Sequence, residues 1–267
     1  MRGGAIVLRR RDDDGEISVV DSDGIRYLYF GNDIVQSAVN LNEPGQLVLS
    51  YTRAMAVGLL FCRHPRSGLM IGLGGGALVH FINEHFPETD LTVVERRAAL
   101  IELARGYFLL EPLGRVNLAA DEGLHFLMRG DSRFDFILVD AFDETGLSQD
   151  VMAGNFVAAC KRRLSPSGLI VFNLWRSQVL ITEEIITSAE EQFGGHVLVL
   201  PLSDKGNLIL FAGPSVPHNP HARKLRELAK ERESAWGVEL RQFLKQLKPY
   251  PAPSWWTKAL RTLSKNE

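Results

Sequence analysis

Two aspartates, Asp140 and Asp143, stand three positions apart where the apolar run Phe136-Ile137-Leu138-Val139 ends. A run apolar on both faces is the pattern of a buried parallel strand. Ligands of open α/β sheets bind outside the carboxyl ends of such strands. Two carboxylates placed there make a negative pocket suited to a cationic substrate such as an amine. One can take the proton of an attacking ammonium while the other holds a second positive end. Capping the loop or helix that follows is the competing role for Asp143. It is a weaker rival for Asp140, because a buried strand end is a costly place for an idle charge.

Upstream, Gly72-Leu73-Gly74-Gly75-Gly76 follows the short apolar run Leu69-Met70-Ile71 and precedes a stretch with helical spacing. Glycine lets the backbone approach a ligand closely, and a helix N-terminus offers unpaired N–H donors. Glu95 ends the next strand, at the separation expected of an acid that binds ribose hydroxyls. With Ala77, the loop also fits the dinucleotide pattern G-x-G-x-x-A. The plain alternative is a tight turn and a surface Glu. Asp121, beside Glu122, follows a third strand, where it could accept a hydrogen bond from an adenine amino group or cap a helix.

The elements that must carry these residues alternate. Strands are expected at Leu69–Ile71, Leu91–Val94, Val116–Ala119, Phe136–Val139 and Leu169–Phe172. Helices are expected over 76–86, 100–108, 122–129, 148–164 and 179–192, the fourth through Met152, Phe156, Cys160 and Leu164. Two further strands, 196–200 and 207–212, join through Asp204-Lys205-Gly206 and suggest one antiparallel strand at the sheet edge. Such alternation means a parallel sheet covered on both faces. Before it, residues 1–49 read as a small antiparallel sheet with a turn at Asp21-Ser22-Asp23-Gly24, and 50–62 as a helix with Ser50 as N-cap. After it, 221–247 reads as one amphipathic helix, packed on the domain or on a partner subunit, and ended by Pro249–Pro253. The expected division is 1–49, an N-terminal β-strand domain; 50–215, a Rossmann-like catalytic domain; and 216–267, a helical extension.

Composition is that of an ordinary globular chain: 267 residues, 45% hydrophobic, 23% charged, formal net charge −2. Nothing in that balance points to nucleic acid or a membrane surface. Only Cys62 and Cys160 are present, so no disulfide framework is expected and a cytoplasmic setting is. The longest apolar run, Ala54–Phe61, is too short to cross a bilayer. The histidines are dispersed, and no metal site is expected.

Taken together, these residues resemble the spermidine synthase (polyamine aminopropyltransferase) family over roughly residues 17–213. The family's Ile-Gly-Gly-Gly-Asp-Gly-Gly loop corresponds to Ile71-Gly72-Leu73-Gly74-Gly75-Gly76-Ala77. Its Asp-Ser-Ser-Asp-Pro motif corresponds to Asp140-Ala141-Phe142-Asp143-Glu144. Leu28 to Gln36 resembles its Leu-Asp-Gly-x-x-Gln, and Tyr51-Thr52-Arg53-Ala54 its Tyr-His-Glu-Met. The resemblance implies a Rossmann-like, seven-stranded fold of the S-adenosylmethionine-dependent methyltransferase type, with a small N-terminal β-sheet domain. It implies Asp140 as catalytic base assisted by Tyr51, with Asp143 and Tyr51 on the substrate. Gln36, Gly72, Gly74, Gly76, Glu95, Asp121 and Glu122 would hold the nucleoside.

The implied reaction moves an aminopropyl group from decarboxylated S-adenosylmethionine to a polyamine such as putrescine. No prosthetic group is needed, and a homodimer is the expected assembly. Four departures from the family pattern bear on the amine: Gly75 replaces an acid, Arg53 replaces an acid, Glu144 replaces a proline, and Asn173 stands for a glutamine. The rivals are a methyltransferase using intact S-adenosylmethionine, a non-catalytic nucleoside-binding or oligomerisation module, and an NAD-dependent oxidoreductase. The last leaves Asp140 and Asp143 without a purpose.

Overall fold

The computed structural model describes residues 4–110, 113–143, 146–148, 151, 154–203 and 206–250. The chain opens with a four-stranded antiparallel meander, β1 (Ala5–Asp12), β2 (Gly15–Ser22), β3 (Ile25–Phe30) and β4 (Val35–Asn40). The turn anticipated between β2 and β3 is a two-residue hairpin loop: Ser22 pairs with Ile25, and Asp23 and Gly24 take φ of 54° and 76°. Positive φ at both central positions is what a type I′ turn requires, and its twist matches that of the flanking strands.

Helix α1 (Ser50–Ala56) follows and tightens into a 3₁₀ turn over Val57–Leu60. Its N-cap is Leu49 rather than Ser50. Leu49 has extended backbone, Ser50 is already helical, and no side chain caps this end.

Strands and helices then alternate: β5 (Ser67–Ile71), α2 (Ala77–His85), β6 (Asp90–Glu95), α3 (Ala98–Tyr107), β7 (Val116–Ala120), α4 (Gly123–Arg129) and β8 (Phe134–Val139). A two-residue pairing, β9 (Phe142–Asp143) with β10 (Gly146–Leu147), leads to α5 (Phe156–Arg162) and the long β11 (Leu164–Trp175). The remainder is α6 (Val179–Phe193), β12 (Val197–Pro201), β13 (Asn207–Ala212), α7 (Arg223–Trp236), α8 (Leu240–Gln246) and β14 (Lys248–Pro249).

The central sheet runs β14-β12-β13-β11-β8-β5-β6-β7. From β7 through β11 every pairing is parallel, and β13 runs antiparallel to both β11 and β12. The expected seven strands are therefore present with one reversed. That strand lies inside β12 rather than at the outer edge, and the short β14 adds an eighth.

Two helix expectations are corrected. Of the helix expected over 148–164, residues 149, 150, 152 and 153 lie outside the described residues; among the described ones it spans only α5, and it stops before Leu164, which pairs with Phe134 as the first residue of β11. The helix expected over 221–247 is two helices. Gly237, at φ 60°, ends α7 in the left-handed conformation that glycine adopts without strain. Both pack on the domain: Trp236 is buried edge-on against Phe81, and Leu240, Phe243 and Leu247 are buried with it.

One apolar core unites the inner faces of the N-terminal sheet, α1, α2, α3, α7 and α8 with one face of the central sheet. A second, under α4, α5 and α6, covers the other face and includes Cys160. No described helix is long and apolar enough to cross a membrane.

Strand order changes direction between β5 and β8, which opens a crevice at their carboxyl ends. Gly72, at φ 92°, lies so close to the end of β8 that an added Cβ would sit 2.1 Å from the Asp140 carbonyl oxygen. Only glycine allows that approach.

Candidate active site

A cavity of about 780 Å³ fills the crevice, roofed by the N-terminal sheet and floored by the tips of β5, β6, β7, β8 and β11. That is ample for a nucleoside and a small second substrate. It is lined by Gln36, Tyr51, Gly72, Gly74, Glu95, Asp121 and Asp140 among the residues singled out from sequence. Gly76 and Glu122 lie outside its lining. Gly76, at φ 79°, starts α2 with its open side toward Leu110, and Glu122 is the backbone N-cap of α4. Asp143 lies in β9, but its side chain falls outside the described residues, as does all of Glu144.

Asp140 continues from β8, its N–H donating to the Ile71 carbonyl at 2.8 Å. Its Oδ1 accepts a hydrogen bond from Asn173 Nδ2 at 2.8 Å, and Asn173 Oδ1 accepts one from Asn207 Nδ2 at 2.8 Å. Both asparagines are buried, on β11 and β13, so a line of amides crosses the sheet and ends on the carboxylate. Tyr51, on α1, has two acceptors for its one hydroxyl proton, the Gln36 carbonyl at 2.9 Å and the Asp140 carboxylate beside it. Burial raises the Asp140 pKa to about 6, against the lowering effect of the bonds from Asn173 and Tyr51 and with a further push from the Glu95 charge. Burial, then the Asp140 charge, pushes the Tyr51 phenol well above its usual value. A carboxylate with a pKa near 6 is ionised at neutral pH yet a far better proton acceptor than an ordinary aspartate.

Glu95, at the tip of β6, is held differently. Its Oε2 accepts the Leu73 N–H at 2.9 Å and its Oε1 the Arg97 N–H at 2.8 Å. It is buried, and burial raises its pKa despite those bonds. The acid thus fixes the glycine loop while keeping lone pairs for a ligand. Arg97 carries the brace onward: its guanidinium binds Asp12 at 2.5 and 2.9 Å and the Gly15 carbonyl at 2.7 Å, joining β6 to the β1–β2 turn.

Asp121 accepts the Glu122 N–H at 2.9 Å and pairs with His125 at 2.6 Å, which holds its carboxyl below the usual range. It borders α4 without being its N-cap, which is Glu122.

Three residues that line the cavity carry a buried polar atom with no hydrogen-bond partner among the described residues: Gln36 Nε2, the Tyr29 hydroxyl and Arg176 Nε. Such orphans are rare in folded proteins and mark where a ligand's polar groups belong. With the close-approach glycines and the Glu95 acceptor, they fit an adenosine-type nucleoside.

Two of the departures have physical explanations. The Gly75 position has no room for an acid: an added Cβ would lie 2.8 Å from the Phe108 ring and 3.1 Å from Ser37 Oγ. Arg53 does not line the cavity. It pairs with Glu239 at 3.1 Å and donates to the Val48 carbonyl at 2.7 Å, tying α1 to the start of α8. The sequence reading missed Asn207, Tyr29, Arg97 and Arg176. The buried amide was signalled by a lone Asn heading the apolar run Asn207-Leu208-Ile209-Leu210-Phe211. Nothing local signalled the other three. Among the described residues, no cluster of three or more His, Cys, Asp or Glu could hold a metal ion.

Comparison with known proteins decides the family. Residues 49–201 match the Spermine/spermidine synthase domain. The polyamine aminopropyltransferase of Chromobacterium violaceum is 33% identical over 234 residues, 87% of this chain and 89% of that protein. The chain belongs to the spermine/spermidine synthase family.

As a member of that family it is a transferase of the aminopropyltransferase type. Two solved structures share its fold. A probable spermidine synthase from Corynebacterium glutamicum superposes with a TM-score of 0.73 at 20% identity, covering 99% of this chain and 94% of that one. Human methyltransferase-like protein 13, solved with SAH, gives 0.61 at 21% identity, covering 78% and 97%. The α/β architecture with its N-terminal four-stranded sheet is thus the one that spermidine synthase and methyltransferase-like structures have.

Proposed function

We propose that the chain transfers an aminopropyl group from decarboxylated S-adenosylmethionine to an aliphatic amine, with putrescine the first acceptor to try. The observation that carries this is Asp140: a carboxylate at the switch point of the sheet, oriented by Asn173 and Asn207, with its pKa raised to about 6.

In this reading the nucleoside lies over the glycine loop with its ribose on Glu95 and its base toward Asp121. A neutral amine attacks the carbon next to the sulfonium. The C–N bond forms as the C–S bond breaks, sulfur keeps the electron pair, and methylthioadenosine leaves. The proton of the new ammonium passes to Asp140. Since sulfonium is already a good leaving group, alignment and deprotonation are what the protein must supply. The tyrosine hydroxyl, anchored to the Gln36 carbonyl, positions that carboxylate.

One observation favours methyl transfer instead. The closed Gly75 position leaves no loop acid to repel the carboxylate of intact S-adenosylmethionine. Incubation with putrescine and each nucleoside in turn separates the two. Methylthioadenosine from the decarboxylated compound supports aminopropyl transfer; S-adenosylhomocysteine from the intact one contradicts it.

A further inference from the structure

Arg176 stands one residue beyond the end of β11, on the far side of Asp140 from Glu95 and Asp121 in the sheet order. Its backbone N–H is tied to the Gly206 carbonyl at 2.9 Å, and its neighbour Trp175 stacks on Phe142 with ring centroids 5.0 Å apart. The backbone is therefore held at the arginine and at the residue before it, and Arg176, Trp175, Phe142 and Gly206 all line the cavity. Its Nε is nonetheless buried without an acceptor among the described residues. Arg97, a cavity arginine whose side chain is buried, has its Nε and Nη2 matched by Asp12 and Gly15.

A guanidinium donor withdrawn from water and left unmatched is costly, and the group that satisfies it best is a carboxylate. It is also the wrong charge to meet the second ammonium of a diamine. We propose that Arg176 binds a carboxylate on the acceptor, so that the chain prefers an amine bearing a carboxylate to an unsubstituted diamine. The inference rests on the aminopropyl reading above and narrows its acceptor to the class of ω-amino acids. The transfer step is unchanged: the acceptor's amine nitrogen gains the aminopropyl carbon, methylthioadenosine departs, and Asp140 takes the proton. The product is an N-(3-aminopropyl) amino acid.

The test compares putrescine with 4-aminobutanoate, the same chain length with one amine replaced by a carboxylate, in the intact protein and in Arg176→Gln and Arg176→Lys. Methylthioadenosine release is measured with decarboxylated S-adenosylmethionine, and thermal shift with methylthioadenosine plus each acceptor. A higher kcat/KM and a larger thermal shift are expected with 4-aminobutanoate. Arg176→Gln should lose about tenfold or more in kcat/KM for 4-aminobutanoate, mainly through KM, and gain for putrescine. Arg176→Lys should recover part of that loss. Putrescine preferred by the intact protein in either measurement, or equal loss of both acceptors in Arg176→Gln, overturns the proposal. So does a selective loss of affinity for intact S-adenosylmethionine in Arg176→Gln, which would assign the arginine to the donor's carboxylate. The thermal-shift arm needs no turnover, so failure of the transfer chemistry is distinguishable from failure of the carboxylate site.

Discussion

The tips of β6 and β8 each carry a carboxylate withdrawn from bulk water, and the two are held in opposite ways. Glu95 is locked by two backbone N–H donors, Leu73 in the glycine loop after β5 and Arg97 just beyond β6. Asp140 is oriented by side chains reaching from other elements, Asn173 on β11 and Tyr51 on α1. Backbone donors hold a carboxylate that serves as a fixed acceptor throughout a reaction. Side-chain partners leave one free to change charge, because an asparagine amide or a phenol can adjust as the proton arrives. The difference is what supports the proposed roles, Glu95 as holder of the nucleoside and Asp140 as acceptor of the proton.

The largest expected effect separates the two tips outright. Asp140→Asn should lower methylthioadenosine release by about 100- to 10,000-fold, the range for removal of a general base. Binding of methylthioadenosine, followed calorimetrically, should change little. Parallel loss of both would give Asp140 a structural role like that of Glu95.

Glu95→Ala should act the other way round. It leaves the Leu73 and Arg97 N–H groups unmatched, at about 1–3 kcal/mol for each buried donor that water cannot reach. Thermal denaturation should show that loss, and nucleoside affinity should fall with it. An unaltered melting temperature would mean the glycine loop does not depend on this acid.

A smaller effect is expected at the amide line. Asn173→Leu removes a bond that lowers the Asp140 pKa, so the acidic limb of kcat/KM should move upward from about 6. Asn207→Leu should shift it in the same direction by less, since it loosens Asn173 rather than the acid. A limb that stays in place in both variants would detach the amides from the proton chemistry.

The smallest is a stability slope. Because the folded-state pKa of Asp140 is raised, the folded protein binds its proton more tightly than the unfolded chain does. Stability therefore falls as pH rises from the usual carboxylate range, near ~4, through about 6. Asp140→Asn should flatten part of that decline in denaturant melts across pH 4–7.

Strand and helix alternation, the glycine loop and the acids at Glu95, Asp121 and Asp140 were legible in the sequence, because period and position at a strand tip are local signals. The break at Gly237 was hidden by apolar residues whose helical spacing survives on both sides of it. Asn207 and Arg176 reach the cavity only through the register of β13 beside β11 and the tie of Arg176 to Gly206. Such pairing is non-local: the lone Asn207 at the head of an apolar run hints at a buried amide, but no window along the chain displays what it or Arg176 meets. The fate of Arg53 was likewise set by a partner, Glu239, far away in sequence.

Asp140 as proton acceptor is tested most directly by the pH dependence of methylthioadenosine release from decarboxylated S-adenosylmethionine under kcat/KM conditions with a fixed amine. Release should rise with pH through a midpoint of about 6 in the intact protein, and Asp140→Asn should lack that rise. A profile flat across this range, or the same rise persisting in Asp140→Asn, would contradict it.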